Sequence, residues 1–334
     1  MKRILSAALI AIFAVTILST CKNPPIFAAI EQEVKLKPAS IKAFVRGLVK
    51  IGNTLYVSNG KLFYKTFGST GTWSSMGSPD GLCVGLATDG TRLYGIFAND
   101  SSFTAAMYTT SWGALPAGCS NASNFIAGTQ TVFAADNTTV YAIEHGAKIG
   151  QWSLGGGHPV GAARTYCLLD NGLRDKTGAL VGGSPTSGLK GICEGPGNSV
   201  FIFDRSTLFC YQGAPANRWT HIGHGVSNPL SITYLPNKQL VLISGKNGYN
   251  EIKITGNNLA NAFITVAGAA DSSIPLSNLY QYKSSVGKWH VNPIVAFDYD
   301  VGGYIIYTGV LDPTAKHTGL WGFYAPGQTE WNRE

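Results

Sequence analysis

Between Leu48 and Gly77 the chain reads LVKIGNTLYVSNGKLFYKTFGSTGTWSSMG, and much of the remaining sequence repeats that unit. It holds four short apolar runs, Leu48–Ile51, Leu55–Ser58, Leu62–Thr66 and Trp73–Met76, separated by turn residues. Asn59-Gly60 predicts a type I′ hairpin between the second and third runs, and Gly71-Thr72 predicts a turn into Trp73. Tryptophans return at Trp112, Trp152, Trp219, Trp289 and Trp331, at spacings of 39, 40, 67, 70 and 42 residues. No helical periodicity is sustained beyond the first twenty residues, and 41 glycines supply many tight turns, so the class is all-β.

Seven copies can be traced. The second runs from Val84 to Trp112, and the third carries TTVYAIEHG before Trp152. The gap to Trp219 holds two copies, one without a tryptophan but with an Asp170-Asn171-Gly172 hairpin signal. The sixth begins at LSITYLPNKQLVLISG and reaches its tryptophan late, at Trp289, so residues 256–286 read as an insertion between its third and fourth strands. Within the insertion, Ala262–Ala267 and Leu279–Lys283 would pair as an extra hairpin. The seventh copy ends at Trp331. Four-stranded units of about 40 residues predict a β-propeller of seven blades. Six or eight blades are the alternatives, and two stacked sandwiches would leave the spacing unexplained. Each tryptophan, at the start of an outer strand, would cover the groove between blades and send its indole N–H to a turn carbonyl. Ile41–Val45 is the candidate to pair beside the last blade and close the ring.

The amino terminus is a separate matter. Lys2 and Arg3 precede an apolar run from Ile4 to Leu18, too short and wrongly flanked for a comfortable membrane span. Leu18-Ser19-Thr20-Cys21 resembles the lipobox of bacterial lipoproteins, in the looser form used by spirochaetes because Thr20 stands where Gly or Ala is usual. The resemblance implies that residues 1–20 are a signal peptide, that Cys21 is lipidated, and that residues 22–40 tether a single domain at 41–334. Cleavage after Ala28 or Ala29 and an uncleaved anchor are the alternatives. Loss of Lys2 and Arg3 lowers the net charge from +7 to +5, and the remaining basic residues are scattered, so no nucleic-acid groove is indicated. Cys83, Cys119, Cys167, Cys193 and Cys210 are then an odd set without C-x-x-C spacing, which reads as small apolar core residues.

Two repeat families share features with the turn before the tryptophan. Ser69-Thr70-Gly71-Thr72-Trp73 resembles a shortened Asp-box lacking its aspartate. Tyr141-Ala142-Ile143-Glu144 followed by Trp152 resembles the quinoprotein-type repeat, which also occurs in a propeller lipoprotein of the outer-membrane assembly machinery. Both resemblances imply the fold and little about activity.

Chemistry is sparse. Asp298 and Asp300, at i and i+2, would point the same way from a strand and could share a proton or a cation; the plainer reading is a polar strand end before Gly302-Gly303. His221 and His224 fall on opposite faces of an extended strand and read as surface loop histidines. Glu144-His145 reads as a polar turn, and Gly155-Gly156-Gly157-His158 follows no strand-to-helix pattern that would hold phosphate. Arg46, Arg92, Arg164, Arg174, Arg205 and Arg218 exist, yet no Arg-Ile-Pro segment marks a sialidase. No cofactor, metal or catalytic set is expected. The leading reading is an exported, lipid-anchored scaffold of the cell envelope, at the outer membrane or cell surface, binding a protein or glycan. Its contact surface would lie in the insertion at Phe263, Ile264, Tyr280 and Tyr282. A glycan-directed enzyme would bring Asp298, Asp300, arginines and an aromatic to one mouth of the ring, and a structural spacer would have no polar mouth.

Overall fold

The computed structural model describes residues 40–69, 71–76, 82–88, 93–98, 107–109, 131–135, 139–144, 148–154, 165–169, 172–175, 179–246, 248–266, 273–274, 290–312, 317–328 and 331–334. Among them the secondary structure is antiparallel sheet, apart from a single 3-10 turn at Pro236–Lys238. No helix of the described residues is long and apolar enough to cross a membrane.

Six sheets succeed one another along the chain. The first is β1 (Gly47–Ile51), β2 (Thr54–Ser58), β3 (Leu62–Thr66) and β4 (Ser74–Met76). The second is β5 (Leu82–Thr88), β6 (Leu93–Ala98) and β7 (Met107–Thr109). The third has five strands, β8 (Thr131–Ala135), β9 (Thr139–Glu144), β10 (Lys148–Leu154), β11 (Thr165–Leu169) and β12 (Gly172–Asp175). The fourth is β13 (Gly191–Glu194), β14 (Ser199–Phe203), β15 (Thr207–Gln212) and β16 (Arg218–Gly223). The fifth is β17 (Pro229–Leu235), β18 (Leu240–Gly245), β19 (Gly248–Thr255) and β20 (Asn258–Val266). The sixth is β21 (His290–Tyr299), β22 (Gly303–Leu311), β23 (Gly319–Ala325) and β24 (Asn332–Arg333). Each sheet is a meander in sequence order, the arrangement of a propeller blade.

Apolar residues alternate in these strands, but on both faces, because each sheet has a neighbour on each side. In β14 Val200 and Ile202 pack with Leu168 and Leu173 of the third sheet, whereas Phe201 and Phe203 pack with Val241, Ile243 and Ile252 of the fifth. Val49 and Leu62 meet Cys83 and Leu86 of the second sheet. On the other side Leu48, Leu55, Val57 and Trp73 share a core with Ile305, Tyr307 and Leu320 of the sixth. The cores therefore lie between sheets. Each sheet depends on the next, as the repeat reading requires.

Four sequence expectations need correction. The third and fourth copies do not make separate sheets: β11 and β12, joined through Asp170-Asn171, pair onto β10 and enlarge the third sheet. The β2–β3 connection is not a type I′ turn, since Ser58 pairs with Leu62 across three loop residues and only Gly60 has a left-handed φ, of 104°. Lys61 N–H instead donates to Asn59 Oδ1, at 3.2 Å. Residues 258–266 are not an inserted hairpin; they are β20, the fourth strand of the fifth sheet, joined to β19 through Gly256-Asn257. Ala262–Val266 thus belongs to that sheet, and Leu279–Lys283 lies outside the described residues. Finally, Trp152 sits within β10 at the centre of its sheet, paired with Val140 and Cys167, and does not open an outer strand.

The expected pairing of the amino-terminal segment is present. Lys42 bridges Gly319, Ile41 N–H donates to the Glu334 carbonyl at 2.9 Å, and Leu320 N–H donates to the Ile41 carbonyl at 3.1 Å.

Candidate functional site

The first strands of four sheets, β1, β13, β17 and β21, border one cavity of about 670 Å³. Leu48, Ile192, Ile294 and Phe297 give it an apolar wall, and Lys50, Glu194, Tyr234 and Asp298 place polar groups on it. Lys50, Glu194 and Asp298 all occur at or next to the carboxyl ends of their strands, which gathers the charge toward one end of the bordering strands.

One side of the cavity is a hydrogen-bonded seam between the fifth and sixth sheets. An initial strand has an edge with no strand partner, so its N–H groups need other acceptors. Ile294 N–H donates to Ser231 Oγ at 3.0 Å, and Ala296 N–H donates to Thr233 Oγ1 at 3.2 Å. Two residues further on the direction reverses: Asn237 N–H donates to Asp298 Oδ1 at 3.0 Å, while Asn237 Nδ2 donates to the Gly303 carbonyl at 2.8 Å. The period of two on both strands is the side-chain alternation of extended chain. Burial holds the Asp298 carboxyl above its usual range, opposed by the Asn237 N–H. Tyr234 is also raised, first by burial and then by the nearby Asp298.

The other side is backed by an aromatic cluster, of which Phe297 alone lines the cavity. Phe67 lies edge-on to Phe297 and Tyr299, with ring centres 5.6 and 5.5 Å apart. The turn at Gly68, φ +74°, lets Tyr299 approach: a Cβ there would stand 2.5 Å from its ring. Lys50 Nζ sits 4.4 Å from the Phe67 centroid and 5.7 Å from that of Phe297. Its pKa is lowered by burial.

These positions sort the sequence candidates. Asp298 is on the cavity, but Asp300 comes after the end of β21 in a left-handed turn, φ 51°, and is not among the lining residues. No arginine lines the cavity, so the constellation expected of a glycan-directed enzyme is not assembled among the described residues. These also contain no His, Cys, Asp and Glu cluster able to hold a metal. His221 is exposed on β16. His224 is not the surface histidine expected: it is fully buried, Nε2 lies 3.2 Å from the Asp204 carbonyl, and Nδ1 accepts Val226 N–H at 3.1 Å. That pairing makes it a neutral Nε2–H tautomer, and burial lowers its pKa. Phe263 and Ile264 are exposed on β20, at 56% and 38%. Cys21, Tyr280, Tyr282, Trp112, Trp289, His145 and residues 155–158 lie outside the described residues.

The remaining tryptophans mark seams. Trp73, just before β4, lies in the core shared by the first and sixth sheets, and its Nε1–H donates to Glu334 Oε2 at 2.9 Å instead of a turn carbonyl. Trp219, in β16, donates to the Gly182 carbonyl at 2.7 Å, as expected. Trp331, just before β24, packs between Phe323 and Tyr249 of the fifth sheet. Sequence reasoning missed Lys50, Ser231 and Thr233. The Ser-x-Thr alternation in PLSITYL was a signal for the last two. Lys50 gave none, because its aromatic partners come from elsewhere in the chain.

Comparison with known proteins places this geometry in context. The TP013X lipoprotein family matches residues 2–187 and 204–334. An uncharacterized lipoprotein of Treponema pallidum (strain Nichols) is 27% identical over 360 residues, covering 95% of this chain and 93% of that protein. A second from the same organism is 25% identical over 390 residues, covering 95% and 94%. Among solved structures, the chain is similar to catalytically inactive virginiamycin B lyase from Staphylococcus aureus with quinupristin, with TM-score 0.48, 12% identity, and coverage of 86% and 96%. It is also similar to YCF48 from Cyanidioschyzon merolae, with TM-score 0.39, 10% identity, and coverage of 89% and 86%.

Proposed function

The chain belongs to the TP013X lipoprotein family, and on that premise we propose that it is a binding protein of the cell envelope which holds its ligand in the cavity bordered by β1, β13, β17 and β21. Family membership implies a lipid-anchored envelope protein. Cys21 is the proposed site of lipidation, and the outer membrane or cell surface the proposed location. The six sheets are read as blades of one β-propeller, the third carrying two of the seven sequence copies.

The observation that supports binding is the cavity: about 670 Å³, within the roughly 300–1,000 Å³ of ligand sites, apolar in its wall with a few polar groups at one end. A spacer needs no such concavity. Catalysis finds less support, because Ser231, Thr233 and Asp298 are engaged in the seam. Phe263 and Ile264 on β20, with Tyr280 and Tyr282, remain the proposed contacts for a protein partner.

The test is to recover the full chain and an Ile232→Trp variant from native membranes and compare the small molecules and glycans that co-purify. Ile232 lines the cavity and is half-buried, so an indole there fills it. Wild type should carry a species that the filled variant lacks. Identical profiles from two folded proteins would end the cavity reading.

A further inference from the structure

Lys50 brings a positive charge to the cavity, and among the described residues it has no carboxylate partner. The reason is built into β21. Successive residues of a strand point to opposite faces. Phe297 turns toward the first sheet, where it lies against Phe67 beneath Lys50. Asp298 turns the other way, toward the fifth sheet, and accepts Asn237 N–H. The carboxylate next to Phe297 in sequence is thus held on the far side of the strand from Lys50. The two rings position the ammonium without neutralising it, since a cation over a ring face keeps its full charge.

We propose, resting on the reading of this cavity as a binding site, that it takes a monoanionic ligand with an apolar portion, its carboxylate paired to Lys50 and its apolar part against Ile294 and Phe297. A monoanion is favoured over a phosphate dianion for a stated reason. Among the described residues no second lysine or arginine lines the cavity, while Glu194 and Asp298 do, and they would repel added negative charge. A single ammonium on an aromatic floor matches one carboxylate on a partly apolar body.

The experiment is calorimetric titration of the full chain with benzoate, hexanoate and N-acetyl-D-alanine, with inorganic phosphate as a fourth arm. The three carboxylates distinguish an aromatic acid, an aliphatic acid and a peptide terminus as sources of the group. At least one should bind one-to-one and more tightly than phosphate. Its affinity should fall about tenfold or more in Lys50→Met and largely persist in Lys50→Arg. Binding of none of the carboxylates, tighter binding of phosphate, or equal binding by Lys50→Met would overturn the assignment. If Lys50→Met still recovers the envelope species that Ile232→Trp loses, the cavity remains the binding site and only the role of Lys50 fails.

Discussion

The His224 imidazole lies edge-on to the Phe203 ring and makes its hydrogen bonds to main-chain groups. Its partners are the Asp204 carbonyl and the Val226 N–H, main-chain groups that carry no side-chain signature, so nothing in WTHIGHG distinguishes a buried histidine from an exposed one. Its folded pKa is lowered from 6.5. Its contribution to stability is therefore present above the unfolded pKa and lost as pH falls below it toward the folded value. Urea midpoints should drop as pH is lowered through about 6.5, and His224→Gln should remove that component. An unchanged pH slope in the variant would contradict the buried neutral assignment. Cysteines separate in the same way. Cys210 is buried and its thiol is pushed up to about 12, whereas Cys193 is half-buried on the cavity wall. In single-cysteine variants a maleimide should label Cys193 in the native protein and leave Cys210 untouched until unfolding; the reverse order would contradict the placement.

At the scale of elements, what was legible came from local chemistry. The strands of the first sheet lie within a residue of the apolar runs that predict them, because each is bounded by its own turn residues. The Asp170-Asn171 hairpin was legible too, but not which sheet its strands would join, since that depends on an edge supplied by β10. The strand β20 is misread when Trp289 serves as the marker of the fourth strand. The better signal is Gly256-Asn257, a short turn directly after an apolar run. One face of β20 enters the core through Leu259, while Phe263 is largely exposed. Leu259→Ala should cost about 2–5 kcal/mol in chemical unfolding, and Phe263→Ser about 0.5 kcal/mol or less. Comparable losses would mean that Phe263 is buried. In the neighbouring seam, Thr233→Val leaves the Ala296 N–H without its acceptor, an expected loss of about 1–3 kcal/mol by the same measurement.

At the scale of the whole molecule, the segment at Ile41 and the first sheet both meet the last sheet. Lys65, 4% exposed, pairs with Glu334 Oε2 and also donates to Tyr324 Oη at 2.9 Å. Tyr324 in turn donates to Glu334 Oε1. Burial pulls the Lys65 ammonium down in pKa and Glu334 opposes it. Removing one partner leaves a buried charge shut away from water, so Glu334→Ala should destabilise the protein by about 3–5 kcal/mol. The sequence suggested that Ile41–Val45 would pair beside the last copy, but no pattern linked Lys65 to Glu334. The alternation in the first and last copies made each a strand set, and the shared core of Leu55, Trp73, Ile305 and Tyr307, with the Phe67–Phe297 ring contact, shows them to be neighbours. If the first and last sheets are clasped beside the cavity, the backbone joining them must be as stable as the fold itself. Hydrogen exchange at the Ile41 and Leu320 amides measures this directly, because their acceptors are the Glu334 and Ile41 carbonyls. Both should exchange only through global unfolding, and both should lose protection together in Glu334→Ala; exchange at the rate of a free chain end in the wild type would contradict the clasp.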